Sequence, residues 1–182
     1  MGKYEVTQEE WESVMGSTPS YFKNRLRNPV ETVSWNDCQE FVRKLNAQSA
    51  VKASGLVFRL STEEEWEFAA RAGAKGDYCK LADGTEITKE TLGEVSWFDD
   101  NSGYKTHPVG RKKPNAFGLY DMHGNVFEWT QSVVGVDRVL RGGSFLSSAV
   151  DCTAGYRLWY SPGNRNRNLG LRLAASGRTD GK

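Results

Sequence analysis

The chain has 182 residues, with 24 Lys plus Arg against 23 Asp plus Glu and a formal net charge of +1. That length suits one domain, and such a chain can bury about 70% of the surface its unfolded form exposes. The charge balance removes the general electrostatic case for nucleic-acid binding, no apolar run approaches the roughly 20 residues of a membrane span, and no signal-peptide pattern opens the sequence. Two compartments stay open: the cytoplasm and, behind an upstream signal, the cell surface.

In TQEEWESVM, Thr7 and Glu10 make a capping-box pattern that predicts a first helix. GSTPSYFKNRLRNPVETV, punctuated by Pro19 and Pro29, reads as a loop. In SWNDCQEFVRKLN, Cys38, Phe41, Val42 and Leu45 fall at helical spacing behind Ser34 as the cap. LVFRL reads as a short strand feeding a third helix, capped by Thr62 and Glu65 and stopped by Gly73. From Asp77 to Asn115 the chain is rich in Gly, Asp, Asn and Lys, which predicts loops with one or two short strands around apolar pieces such as VSWF.

NAFGLYDMHGNVFEWTQS mixes aromatics with glycines and predicts tight turns inside a packed environment. VLRGGSF and GLRLAAS read as short strands joined by a long irregular connection, and GRTDGK as a frayed tail. Helices early and short strands late predict an α+β fold rather than an alternating α/β sheet. The 6 Trp, 7 Tyr and 8 Phe supply much of the buried surface of such a loop-rich fold. Cys38, Cys79 and Cys152 are odd in number and widely spaced, so buried unpaired thiols are expected rather than a disulfide framework or a metal knuckle.

MGKYEVTQEEW, NPVETVSWNDCQEFVRKLN, FRLSTEEEWEFAARAG, THPVGRKKPNAFGLYDMHGNVFEWT, RVLRGGSF and NLGLRLA, in that order, resemble the formylglycine-generating enzyme or sulfatase-modifying factor family. The resemblance implies a loop-rich C-type lectin-like fold with short strands and two to three helices. It implies one domain over residues 1–176 and a flexible tail at 177–182. Because the family usually has strand residues before this point, the chain is expected to begin inside the domain.

The resemblance also implies what the enzymes of the family need. Aerobic members use two cysteines, three and eight positions beyond the serine of the GGS turn, to hold copper and oxidise a substrate cysteine. Here that serine is Ser144; the eighth position is Cys152 and the third is Ser147. A soft thiolate pair suits Cu(I), whereas a serine hydroxyl is hard and stays protonated, so copper is not expected. Nothing beside Cys152 lowers its pKa, and Asp151 would raise it. A sulfoxide-forming iron branch of the family draws its ligands from an extra domain. Here only His107 and His123 are available, and both read as loop histidines. A structural calcium implied by the family would fall at Asn125, Val126 and Glu128, the alternative being that Glu128 pairs with an arginine.

Between the framework pieces of the C-terminal region lie Phe145, Leu146, Ser147, Ser148, Val150, Asp151, Leu158, Trp159, Tyr160 and Ser161, with Asn166 and Arg167 in NRNRN. These residues lack any period of 2 or 3.6 and include large apolar side chains in a Gly- and Asn-rich stretch. The arrangement resembles the variable proteins of diversity-generating retroelements, which implies a ligand-binding face at these positions. Phe145 is the exception, expected in the core because it extends the VLRGGS strand. The leading expectation is a non-catalytic binding module for a protein or other macromolecular ligand. A formylglycine-type oxidoreductase using Cys152 and an accessory domain of a larger protein are the alternatives.

Overall fold

The computed structural model describes residues 1–177. Its helices are α1 (Gln8–Met15), α2 (Trp35–Ala47), the short α3 (Ser49–Ala53), α4 (Glu63–Arg71) and α5 (Asp99–Ser102). Its strands are β1 (Leu56–Leu60), β2 (Phe127–Val134), β3 (Asp137–Arg141), β4 (Leu158–Tyr160), β5 (Leu169–Gly170) and β6 (Leu173–Gly177). The three long helices begin where local chemistry says they should. Thr7, Ser34 and Thr62 each accept from the backbone N–H three residues on, and Glu10, Asp37 and Glu65 reach back to the cap. α4 ends at Ala72, which adopts a left-handed conformation with Gly73 after it.

β1 and β6 pair antiparallel in one small sheet, and a second sheet runs in the order β4-β3-β2-β5. The β2–β3 hairpin shifts register between Trp129 and Val133, and β5 lies parallel to β2. The main core joins α1 and α2 to the second sheet: Trp11 stacks on Phe41 with centroids 4.8 Å apart, among Val30, Val33, Leu60, Trp129, Leu140, Leu169 and Leu171. Two satellite cores, around Leu92 and around Trp66, sit under the loops. This is the α+β architecture expected. No helix of the described residues is long and apolar enough to cross a membrane.

Three expectations are corrected. The strands foreseen between Asp77 and Asn115 reduce to a single Lys80–Glu86 bridge, a 3-10 turn at Leu92–Glu94 and α5. Val95 and Phe98 are buried there from a loop, and the Asn101 side chain accepts from the Phe98 N–H and starts a helix instead. The RGGSF strand stops at Arg141, because Gly142 and Gly143 take φ of +99° and +71° and turn the chain. Phe145 is therefore core, but from beyond the turn. Finally, Gly177 closes β6 rather than opening a tail; residues 178–182 of the expected tail lie outside the described residues.

Candidate functional site

β3 delivers Arg141 to the GGS turn, and the turn folds back over the one-turn helix Val150–Cys152. A Cβ on Gly143 would lie 2.5 Å from the Cys152 sulfur and 2.9 Å from its Cα, so only glycine lets these two segments pack. The Ser147 hydroxyl sits in the middle of this arrangement. It accepts from the Ser144 N–H at 3.0 Å and lies 3.1 Å from the Ser144 hydroxyl. Ser147 thus behaves as a small structural clamp on the turn.

Cys152 is fully buried and free of any disulfide, as are Cys38 and Cys79. Burial pushes its thiol up to about 12; the Ser144 amide opposes this, and the charges of Asp151 and Asp99 add to it. A thiol held that high is not a nucleophile near neutral pH. Beneath it, His123 places Nδ1 2.8 Å from the Cys152 carbonyl, and burial holds this imidazole down at about 4. His107 stacks on Trp97 with centroids 3.9 Å apart and sets Nε2 2.7 Å from the Ser102 carbonyl.

Of the three residues expected to hold calcium, Glu128 and the Asn125 side chain already have other partners. Glu128 is buried, meets Arg172 at 2.8 Å and accepts from the Trp66 indole N–H at 2.5 Å. Asn125 accepts from the His107 amide at 3.0 Å and donates to Glu5 at 2.6 Å, and the Val126 amide also donates to Glu5. A dication here would have to displace a buried guanidinium and leave it unpaired, at a cost of several kcal/mol. The arginine pairing weighed for Glu128 is the arrangement observed.

The C-terminal candidates divide by burial. Ser147 is buried and so cannot contact a ligand, which removes it from the expected face; Phe145 is buried in the core, as expected of it. Leu158 is half-buried and packs against the main core. Leu146 and Asp151 are half-buried, while Ser148, Ser161, Asn166 and Arg167 are exposed. Val150 is 62%, Trp159 47% and Tyr160 36% exposed. Trp159 and Tyr160 are consecutive on β4, an edge strand, with Ser161 following at once. Val150 and Ser148 lie on the separate turn that carries Cys152, where Ser148 donates to Asp151 at 2.9 Å.

Residues 1–176 match the family model described as the sulfatase-modifying factor enzyme 1-like domain. The chain belongs to that family. Inactive C-alpha-formylglycine-generating enzyme 2 of Mus musculus is 37% identical over 172 residues, covering 86% of this chain and 52% of the mouse protein. Chaperone protein LppX of Paenibacillus barcinonensis is 30% identical over 228 residues, covering 97% of this chain and 79% of that protein. Among solved structures, Treponema denticola variable protein 1 superposes with a TM-score of 0.81 at 33% identity, covering 96% of this chain and 82% of that one. The chain thus spans about half the length of the mouse relative.

Within this sulfatase-modifying-factor-like domain, the β4 edge has neighbours that sequence reading did not single out. Arg138 pairs with Tyr160 on one side and Val133 on the other, which places the three in one row across the sheet. The Arg138 guanidinium lies 3.9 Å above the Trp35 ring, and Val136 at the hairpin tip is 86% exposed. The signal was present in VVGVDR, a two-valine approach to a Gly-centred turn, but only the register shows that its residues face β4.

Proposed function

We propose that this domain is a non-catalytic ligand-binding module whose contact surface centres on Trp159 and Tyr160 of β4 and extends to Ser161, Asn166 and Arg167. The observation that carries the reading is the state of the GGS turn. Ser147 stands where a dithiolate needs its first sulfur and is tied to Ser144, while Cys152 is buried with its thiol pushed up to about 12. Similarity to an inactive formylglycine-generating enzyme and to a variable protein supports the same reading. Diversification of the surface by a retroelement is the finer proposal, and its ligand would be a protein or other macromolecule.

The exposed residues suit such a role. Trp and Tyr offer a rigid apolar body with a polar edge at low entropic cost, and on an edge strand they are backed by a sheet instead of a free loop.

Copper binding tests the non-catalytic part. In competition with a chromogenic Cu(I) chelator, the wild-type domain should leave the chelator's copper untouched. Ser147→Cys, which restores the second thiol, should withdraw about one equivalent. Tight Cu(I) binding by the wild type, with aldehyde formation on a cysteine peptide above a Cys152→Ser control, would overturn the proposal.

A further inference from the structure

A second surface lies away from the β4 edge and shares only Arg167 with it. The loop after α1 carries Lys23, Arg25 and Arg27 into solvent, and Lys105 and Arg167 are exposed on neighbouring segments. The segments are pinned together by specific bonds. The Glu31 carboxylate, itself buried, accepts from the Tyr21 and Phe22 amides at 3.1 and 3.0 Å. The Asn28 side chain donates to Thr106 at 2.9 and 3.0 Å, and the Val109 amide donates to the Arg27 carbonyl at 3.0 Å. The Thr32 amide donates to the Asn166 carbonyl next to Arg167. The Arg167 guanidinium lies 5.7 Å from the Tyr21 ring centre and 6.0 Å from that of Phe145.

None of these cations has a carboxylate within 4.0 Å among the described residues. Elsewhere on the molecule exposed arginines do pair: Arg43 with Glu40, Arg157 with Glu63, Arg165 with Asp37. The Glu31 carboxylate behind the loop is spent on backbone amides and the Thr32 hydroxyl. A local positive field survives. It is felt by His107, whose imidazole is held below its ordinary value, first by burial and then by the charges of Lys105, Lys112 and Arg25. A chain of net charge +1 thus gathers five exposed cations without an ion pair among the described residues on these adjoining segments, with exposed Glu9 beside them through its amide bond to the Leu26 carbonyl.

We propose that this face, Lys23, Arg25, Arg27, Lys105 and Arg167 with the exposed side chains of Tyr21, Leu26 and Tyr104, docks an acidic protein segment that carries apolar residues. Charge complementarity selects the acid, since unpaired arginines on a pre-shaped surface gain charge-assisted hydrogen bonds without first breaking internal pairs. The apolar part follows from Tyr21, Leu26 and Tyr104, which are 63%, 54% and 67% exposed among the cations. A nucleic acid fits less well. It carries no aliphatic side chain to cover Leu26, which stands 54% exposed among the cations. The Glu31 and Asn28 anchors hold the loop in shape before binding, which lowers the ordering cost.

The test uses the full chain and a random Glu–Tyr copolymer as the probe, with polyglutamate and a single-stranded oligonucleotide of matched charge beside it. The variant R25E/R27E/K105E reverses three charges on this face. K52E/K75E/K89E reverses three exposed charges elsewhere, with the same change in net charge, and equal melting temperatures for both variants confirm intact folds. The Glu–Tyr copolymer should bind the wild type more tightly than either comparison polymer. Its Kd should rise at least tenfold in R25E/R27E/K105E and less than twofold in K52E/K75E/K89E. Equal weakening in both variants, or tighter binding of the oligonucleotide, would overturn the proposal. The outcome is separable from that of the β4 reading, because a Trp159→Ala/Tyr160→Ala variant should keep the copolymer's affinity.

Discussion

Phe145 and Trp159 are both large aromatics in the irregular C-terminal stretch, and the fold treats them oppositely. Phe145 is fully buried and meets Phe22 edge-on with centroids 5.4 Å apart. Trp159 is nearly half exposed opposite the buried Val139. Truncating Phe145 to Ala removes a filled core position and should cost about 3–5 kcal/mol, read from urea unfolding midpoints. The double change Trp159→Ala and Tyr160→Ala removes only cross-strand contacts on an edge and should cost less than about 2 kcal/mol in total. If the double variant instead unfolds as readily as Phe145→Ala, the β4 aromatics are core and the binding surface proposed for them fails. Phe145 is core as expected, but not as the extension of a strand, since the chain turns at Gly142 and Gly143. The burial of Ser147 was not, because nothing in a serine's neighbours along the chain says whether its hydroxyl faces solvent or a turn.

Capping is the element-scale feature that the sequence exposes most directly. The Thr62 hydroxyl accepts from the Glu65 N–H at 3.2 Å, and Glu65 both returns a bond to the Thr62 amide and holds Arg59 at 2.6 and 2.7 Å. The Arg59 guanidinium is the largest influence holding the Glu65 carboxyl down at about 2. Thr62→Ala leaves that ion pair in place and removes one cap, so it should lower stability by about 1 kcal/mol with folding cooperativity unchanged. An unchanged urea midpoint would mean that α4 is held by packing alone. These caps could be read from sequence because every participant lies within four residues. The missing strands between Asp77 and Asn115 could not. Whether VSWF pairs with another strand or packs from a loop depends on segments far along the chain, and the partner it finds is the Leu92 core rather than a sheet.

At the scale of the whole molecule, four buried ionisable groups tie the N-terminus to the last strands. Glu5, Asp121, Glu128 and Arg172 come from positions spread along nearly all of the described chain, and all are buried. One arginine faces three carboxyls, so two of them are held away from their ordinary ranges. Glu5 is raised by burial and by the charges of Asp121 and Glu128; Asp121 is raised from 3.8 to about 6, chiefly by burial. The sign for stability follows. A carboxyl with a raised folded pKa binds protons more readily folded than unfolded, so its contribution grows as pH falls from 7 through 6. His123, lowered from 6.5 to about 4, does the reverse and costs stability as pH falls through the same interval. Asp121→Asn keeps an acceptor for the Gly110 amide but removes one titrating gain. The variant should therefore lose about 1 kcal/mol more than the wild type between pH 7 and pH 5, measured by urea unfolding at each pH. Parallel pH profiles would show that Asp121 does not titrate in this interval.

By itself the sequence determined the three long helices with their caps, the α+β class and the family. Each of these rests on residue types at fixed short spacings or on an ordered set of motifs, and short-range chemistry does not depend on the rest of the fold. Tertiary structure alone decided that Glu128 pairs with Arg172, that Ser147 clamps a turn, and that Tyr160 lies in one row across the sheet with Arg138 and Val133. It alone gathered the unpaired cations of the loop after α1 beside Lys105 and Arg167. The physical reason is the same in each case: burial and charge pairing are set by contacts between residues tens to more than a hundred positions apart, and no local pattern encodes which of those contacts close.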